Sequence, residues 1–490
     1  MKLTKLSFGV IAFITMLVLC SCQSAPNHDS VISKNDGSFD INAVQTVDPS
    51  TAANEMIDVN YHHFFQSSDK SVDFTFDIQE NYSAEGMPII EVAPHYLTES
   101  DAQHVATVLF GNAEFYEAQP YFAAMYSKEE IQQKIARWSQ YTSETSIAKL
   151  FGSPQDNAIK VIKDFIENYT QLMETAPDVK EQSPCLWQFQ ESWKYSYTAE
   201  QVGKENISLS QDDEIQANVT YDGIPYRYTV STRNKNDYKY NMISVKPDYG
   251  ITPWDLDEMI LQEKLCRDKV PSEQQIASAT KKASELLNEI NLGKWEIDSY
   301  EVQMIERGDA IDYRIAIRAV PVFNGATAVR MPQLSNLKSE TAYASNYYLT
   351  DSQFIFAPDG TLLSFQLISP VDITSVINET PKVLGMDELL EIAKNHFILS
   401  DAHSYGPGGI IEEMGQEIDC NVIINKMEYG LARVKVPNTD DRYYYVPSIV
   451  LVGNIEYNIH DTGEICFSEE STTLLNLNAV DGSVIPLDNG

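Results

Sequence analysis

The chain has 490 residues, with 71 acidic and 35 basic side chains and a formal net charge of −36. This excess of negative charge disfavours nucleic-acid binding, which needs a basic surface, and electrostatic adhesion to anionic lipid. Solubility explains the charge most simply, and binding of cations or basic peptides is the alternative. Hydrophobic residues make up 43% of the chain, enough for ordinary cores, and the length predicts roughly two to four domains.

The N-terminal segment has the features of a secretory signal. Two early lysines precede an apolar run that ends in Leu19-Cys20-Ser21-Cys22. The Leu-x-Ser-Cys pattern resembles the lipobox of bacterial lipoproteins. The resemblance implies that residues 1–21 are a lipoprotein signal peptide and that Cys22 carries the lipid, which anchors the chain at the outer face of the cell membrane. The alternatives are a cleaved signal with two incidental cysteines and a retained anchor, for which the apolar run is too short to span comfortably.

A polar segment separates this signal from the folded body. Residues 22–52 are rich in Ser, Asn and Asp and lack helical periodicity, which is typical of a flexible tether. Residues 53–255 follow as a predicted N-terminal domain of mixed helices and strands. The sequence therefore predicts a body that is held at a distance from the membrane.

The N-terminal domain shows local signals for both strands and helices. The alternation of Val72–Ile78 predicts a half-buried strand, and Thr98 opens a helix. Ser127-Lys128-Glu129-Glu130 is a capping box for a second helix, and a third helix is predicted over about 154–173. Thr220–Ile224 predicts a hairpin turn.

The C-terminal half contains two similar arrangements of a helix followed by strands. Residues 256–378 begin with a helix capped at Ser272 and continue with strands, the first from Trp295 to Met304. Residues 379–490 begin with a helix near Met386 and continue in the same way. The predicted fold class is α+β, with the N-terminal mixed domain followed by two tandem units of a helix plus an antiparallel meander.

The second of these units resembles the PepSY/YycI-type modules of bacterial envelope proteins. The resemblance rests on Met386 to Ala393, Tyr443 to Pro447 and Leu477 to Gly482. It implies cystatin-like α+β modules that act as non-catalytic inhibitory or regulatory domains toward peptidases or sensor kinases. The lipidated N-terminus departs from the kinase regulators, which have a transmembrane helix there. As a whole, the chain resembles uncharacterised surface lipoproteins of Gram-positive gut bacteria.

Four cysteines lie beyond the signal region, and none has CxxC spacing. Disulfides are able to form outside the cytoplasm, and Cys420 with Cys466 is the first candidate pair because both fall in the second C-terminal unit. Four buried free thiols are the open alternative, since a chain of this length does not need disulfides for stability.

The sequence contains no convincing catalytic, cofactor or metal-binding motif. Asp461-Thr462-Gly463 matches the aspartic protease triplet, whose chemistry needs two carboxylates, but it lacks the apolar flanks. Asp359 occupies the corresponding place in the first unit, where Pro358-Asp359-Gly360 is typical of a hairpin turn. Ser67 with Lys70, and Ser278 with Lys281, match Ser-x-x-Lys, but the partner motifs Lys-Thr-Gly and Ser-Asp-Asn are absent. The chain is therefore predicted not to be an enzyme and to use no cofactor or metal.

The candidate binding face is a run of three tyrosines, Tyr443, Tyr444 and Tyr445. Tyrosine offers a broad contact area with a polar tip, although it is also an ordinary strand residue. The expected function is that of a lipid-anchored extracytoplasmic envelope protein with a non-catalytic binding or regulatory role toward a protein or peptide partner. The alternative is a solute- or glycan-binding surface lipoprotein.

Overall fold

The computed structural model of the protein describes most of the chain beyond the signal region. The described residues are 39, 41–48, 56–83, 87–118, 126–143, 145–146, 158–179, 182–195, 207–232, 241–247, 270–307, 310–329, 350–400, 418–437, 439, 442–460, 462 and 465–485. The predicted signal peptide and the lipidation site at Cys22 lie outside them.

Strands dominate this part of the chain, which contains five α-helices and seventeen strands. The helices are α1 (Glu99–Phe110), α2 (Lys128–Trp138), α3 (Ala158–Thr175), α4 (Glu273–Ile290) and α5 (Met386–Ile398). The strands of the first half are β1 (Met56–Gln66), β2 (Val72–Ser83), β3 (Ile89–Pro94), β4 (Phe115–Glu117), β5 (Gln190–Tyr195), β6 (Ile207–Tyr221), β7 (Ile224–Thr232) and β8 (Asn241–Pro247). Those of the second half are β9 (Trp295–Arg307), β10 (Ala310–Phe323), β11 (Ala326–Thr327), β12 (Asp351–Phe356), β13 (Leu362–Ile368), β14 (Val371–Asn378), β15 (Ile418–Lys435), β16 (Tyr443–Ile459) and β17 (Ile465–Asn478).

Local capping chemistry sets the starts of three helices. The side chains of Thr98, Ser127 and Ser272 each accept a hydrogen bond from the backbone N–H three residues later, and the side chain at that later position accepts one from the backbone N–H of the capping residue. These reciprocal bonds satisfy N–H groups that have no partner inside the helix. The sequence-based starts of α1, α2 and α4 are confirmed. None of the described helices is long and apolar enough to span a membrane.

The first sheet joins strands from the two ends of the chain. Its order is β1-β2-β15-β16-β3-β14, and β17 also pairs with β16. β15 runs parallel to β2, with Cys420 opposite Val72, and the start of β16 runs antiparallel to β3, with Tyr445 opposite Ile90. Strands more than 340 positions apart in sequence therefore lie side by side in one sheet.

The second sheet has ten strands in the order β11-β10-β12-β13-β8-β7-β6-β4, with β9 added to β10 and β5 added to β6. The Tyr221 to Ile224 turn joins β6 to β7, which confirms the predicted hairpin. α1 and α4 bury Val105, Phe110, Ala283 and Leu287 against this sheet. The first sheet is covered instead by α5, through side chains that include Leu390 and Phe397.

The predicted α+β class, with an N-terminal domain followed by two tandem helix-plus-meander units, is wrong. The described chain is mostly β, with 49% of residues in strands and 25% in helices. The strands that follow α4 are continuous with β6–β8, and those that follow α5 are continuous with β1–β3. Each sheet therefore buries its apolar face by combining strands from regions that the local patterns had separated.

Residues 39 and 41–48, which fall within the predicted tether of residues 22–52, contact the body of the protein. Phe39 is buried and its ring centroid lies 6.2 Å from that of Tyr444. The backbone N–H of Val47 donates to the carbonyl of Thr380 at 2.9 Å, and Lys382 donates to Gln45 at 2.8 Å. Phe39 provides an apolar contact with Tyr444 that the polar composition of the segment did not predict.

Candidate functional site

The three tyrosines predicted as a binding face lie in the interior of the protein. Tyr443, Tyr444 and Tyr445 at the start of β16 are 1%, 7% and 3% exposed. β16 is buried on both faces over its first eleven residues. The residues therefore do not form a surface at which a solute, glycan or peptide binds.

Tyr443 and Tyr445 pack in a buried cluster that includes residues of both sheets. The ring of Tyr445 lies 4.3 Å from that of Phe323 at the end of β10. Tyr443 carries the guanidinium of Arg433 over its ring, with the central carbon 3.7 Å from the ring centroid. Burial raises the pKa of Tyr445, although Arg433 and Thr350 act in the opposite direction. The phenol of Tyr445 is consequently uncharged at neutral pH and acts through packing.

Asn241 organises a second contact between the sheets. Its side chain is fully buried, and Oδ1 accepts hydrogen bonds from the Thr232 hydroxyl at 2.9 Å and from the backbone of Leu97 at 3.5 Å. Its carbonyl accepts from the backbone N–H of Ser369 at 2.7 Å. Asn241 thus ties β8 to the two connections, β3 to α1 and β13 to β14, by which the chain crosses between the sheets.

A histidine between two carboxylates lies on the same two connections. His95 Nδ1 is 3.0 Å from both carboxylate oxygens of Asp372, and Nε2 is 3.4 Å from Oδ2 of Asp101. Burial acts to raise the pKa of Asp101, but hydrogen bonds from Thr98 and the neighbouring His95 outweigh it and lower that pKa. Because both ring nitrogens face carboxylates, His95 joins β14 to the start of α1.

The cysteine thiols are separated by the strand order. Cys420 on β15 is a buried free thiol opposite Tyr457 on β16, and Tyr457 is in turn opposite Phe467 on β17. Cys466 therefore lies two strands away from Cys420, about 10 Å at the usual strand spacing, beyond the reach of a disulfide. The predicted pair is not formed in this structure, while the side chain of Cys466 lies outside the described residues. Cys185 is also free and is half-buried.

The sequence motifs considered for catalysis have structural roles where they are described. The Ser67 hydroxyl donates to Asp69 at 2.6 Å and accepts from the backbone of Val72 at 3.1 Å, which fixes the turn between β1 and β2. Ser278 and Lys281 lie within α4. Among the described residues, no group of three or more His, Cys, Asp or Glu side chains is arranged to hold a metal ion.

Six exposed large apolar side chains of the described residues lie on three edge strands. The sheet order places β1 and β14 at the two edges of the first sheet, and β9 pairs on one side with β10 and with no other described strand. The exposed side chains on these strands are Phe64 on β1, Tyr300 and Met304 on β9, and Ile373, Val376 and Ile377 on β14. Open backbone groups beside apolar side chains are able to bind an extended segment of another chain.

The sequence predicted the strand from Trp295 to Met304 but not its position at an edge. Edge status depends on which strands pair, and no local pattern records it. The burial of Tyr443–Tyr445, in contrast, had a sequence signal: apart from Pro447 and Ser448, the run from Tyr443 to Val452 is aromatic or aliphatic, which is typical of a strand that is buried on both faces.

Comparison with known proteins leaves the family open. No family model matches the chain, and no curated protein matches it. Among solved structures, the chain is similar to an uncharacterized protein from Eubacterium rectale ATCC 33656. The two are 10% identical with a TM-score of 0.37, and the match covers 89% of this chain and 97% of that chain. A likeness at this level supports no conclusion about fold or function.

Proposed function

We propose that the protein is a lipid-anchored extracytoplasmic envelope protein with a non-catalytic binding or regulatory role toward a protein or peptide partner. The observation that carries the binding role is the set of edge strands β1, β9 and β14, which expose apolar side chains. A monomeric β protein normally protects such edges, because an open edge pairs with other chains. Edges of this kind suit recognition of an extended polypeptide.

The membrane location in this proposal rests on the lipobox at Leu19–Cys22. A lipid on Cys22 would hold the body through the chain that leads to Phe39, which reaches at most about 60 Å when fully extended. Since Phe39 packs on Tyr444, the chain that leads to the lipid would leave the body on that side of the protein. The edge strands would then meet partners in the space just outside the bilayer.

The solute- or glycan-binding alternative loses the surface on which it was based. It relied on Tyr443, Tyr444 and Tyr445, and all three are buried. No other described feature favours a small ligand over a polypeptide, so the polypeptide-binding role is the one proposed.

Two experiments test the two parts of the proposal. Replacing Cys22 by Ala should release the protein from the membrane fraction and remove incorporated radioactive palmitate, whereas the matched Cys20→Ala variant should remain lipidated and bound. Retention and labelling of the Cys22→Ala protein would contradict the lipid anchor.

The binding role is tested by crosslinking the lipidated protein in cells and locating the crosslinked residues by mass spectrometry. We expect one dominant envelope protein or peptide whose crosslinks map to the surface of the body. Crosslinks spread over many proteins in proportion to their abundance would count against a specific partner.

A further inference from the structure

The outer side of β9 is the most regular open edge that carries an apolar stripe in the second sheet. The register with β10 has one irregularity, at Arg318 and Ala319 opposite Asp298, and then runs without interruption from Ser299 to Arg307. β14 differs, because two register shifts interrupt its eight residues. Bulges of that kind twist an edge away from further pairing, so β9 is a better template for an added strand than β14.

One face of β9 presents an apolar stripe. Tyr300 and Met304 are 59% and 54% exposed, and Val302 between them is partly buried. Tyr300 lies opposite Ile317 and Val302 opposite Ile315, and both isoleucines belong to the core under α1 and α4. The stripe is therefore the uncovered margin of the core face of the sheet. Tyrosine and methionine suit a contact surface, because both bury a large area and methionine adapts its shape.

The other face of β9 and the residues that lead to it are polar and acidic. Glu296, Asp298 and Glu301 are exposed, and there is no Lys or Arg between Trp295 and Met304. Gln303 donates to Glu301 at 3.1 Å and accepts from Arg314 at 2.7 Å, which orders this face. Open edges are commonly protected by lysine, and here the charges have the opposite sign.

We propose that β9 binds an extended segment of a partner protein in which apolar residues alternate with lysine or arginine. In an added strand, alternate side chains point to opposite faces, so one set packs on Tyr300 and Met304 while the other meets Glu301. This proposal rests on the proposed function, and it specifies the chemistry of the partner segment and the strand that binds it. A second copy of the chain is the less favourable occupant, since it would bring two acidic edges of a protein with net charge −36 together.

The test uses the full mature chain and a fluorescent synthetic peptide that alternates Val or Thr with Lys and matches Ser299–Arg307 in length. We expect saturable binding by fluorescence anisotropy, weakened by salt, and no binding of the matched peptide in which Glu replaces Lys. Amide hydrogen exchange on the unmodified protein should slow along β9 when the Lys peptide is present. Slowed exchange on β1 or β14 instead, or equal binding of both peptides, would overturn the proposal.

Variants provide a second readout. Tyr300→Lys combined with Met304→Lys adds the edge protection that β9 lacks. We expect the affinity for the Lys peptide to fall at least about tenfold, because two cross-strand contacts are lost and charge repulsion is added. Phe64→Lys makes the same kind of change at an exposed residue of β1 and should leave binding within about twofold. Equal effects of the two changes would contradict a site on β9.

The in-cell crosslinks separate failure of this site from failure of the proposed function. A partner crosslinked only through residues far from β9, together with no peptide binding, would overturn the site and leave the binding role intact. Absence of any specific partner would remove both.

Discussion

The guanidinium of Arg433 stacks on the ring of Tyr443, with its central carbon 3.7 Å from the ring centroid, and both side chains are buried. Arg433 Nη1 also donates to the Thr350 hydroxyl at 3.3 Å, and Thr350 donates to the carbonyl of Ser369 at 3.0 Å. The buried guanidinium of Arg433 on β15 therefore contacts Tyr443 on β16 and Thr350, which lies just before β12 and bonds to Ser369 just after β13. This relationship makes the interior tyrosines part of the connection between the sheets.

Replacing Arg433 by Lys should lower the free energy of unfolding by about 1–3 kcal/mol. A compact ammonium lacks the planar face that stacks on Tyr443 and the spread of donors that reaches Thr350. Arg442→Lys is the matched control, because Arg442 is exposed and its ion pair with Glu91 at 3.1 Å is worth less than about 1 kcal/mol. Urea denaturation measures both, and equal losses for the two variants would argue against the stacking role.

Replacing Asn241 by Ala should lower the free energy of unfolding by about 1–3 kcal/mol, because the Thr232 hydroxyl and the Leu97 N–H lose their acceptor in a buried setting. Asn60→Ala on the exposed edge of β1 should change it by about 0.5 kcal/mol or less. Hydrogen exchange should accelerate at Leu97 and Ser369 in the Asn241 variant. Unchanged exchange there would contradict its role in joining the crossing connections.

Phe39→Ala should detach the N-terminal segment while the sheets stay folded. Phe39 provides a buried contact with Tyr444 near the chain terminus, so its loss favours local opening. Limited proteolysis should then cleave between residues 39 and 48 at least tenfold faster, which corresponds to about 1.4 kcal/mol of local stability. Phe64→Ala removes an exposed phenylalanine and serves as the control. An unchanged cleavage rate in the Phe39 variant would show that the backbone bonds to Thr380 suffice.

Cys420 should resist alkylation in the folded protein and react after unfolding. Burial is the main cause that raises its pKa from about 9 to about 11, so the reactive thiolate is scarce at pH 8. The half-buried Cys185 should react first. Mass spectrometry of the alkylated protein distinguishes the two sites, and early modification of Cys420 would contradict its burial.

The raised pKa of Cys420 also predicts a pH dependence of stability. Unfolded chains release the thiol proton near pH 9, whereas folded chains keep it until about pH 11. The contribution of the protonated Cys420 thiol to the free energy of unfolding is therefore complete below pH 9 and is lost as the pH rises from 9 to about 11. The stability difference between the unmodified protein and Cys420→Ala should shift against the unmodified protein across this window, and a constant difference would contradict the assignment.

Local signals in the sequence determined where several elements begin. The capping residues Thr98, Ser127 and Ser272, and the turn at Asp222-Gly223, act on neighbours a few positions away. Their hydrogen bonds and dihedral preferences are therefore readable from adjacent residues. The lipobox and the acidic charge are properties of the sequence in the same sense, and they support the proposed location and partner chemistry.

Only the tertiary structure decided which strands share a sheet and which surfaces stay open. The pairing of β2 with β15 and of β3 with β16 depends on apolar faces that meet across the whole chain, and it converted a predicted tandem arrangement into two large sheets. Pairing with β15 and β3 buried Tyr443–Tyr445 in the first sheet, whereas β9 pairs only with β10 among the described strands, which leaves Tyr300 and Met304 at an edge of the second sheet. Burial is set by neighbours that are distant in sequence, so residues of similar local pattern came to lie in the core in one case and on a candidate binding surface in the other.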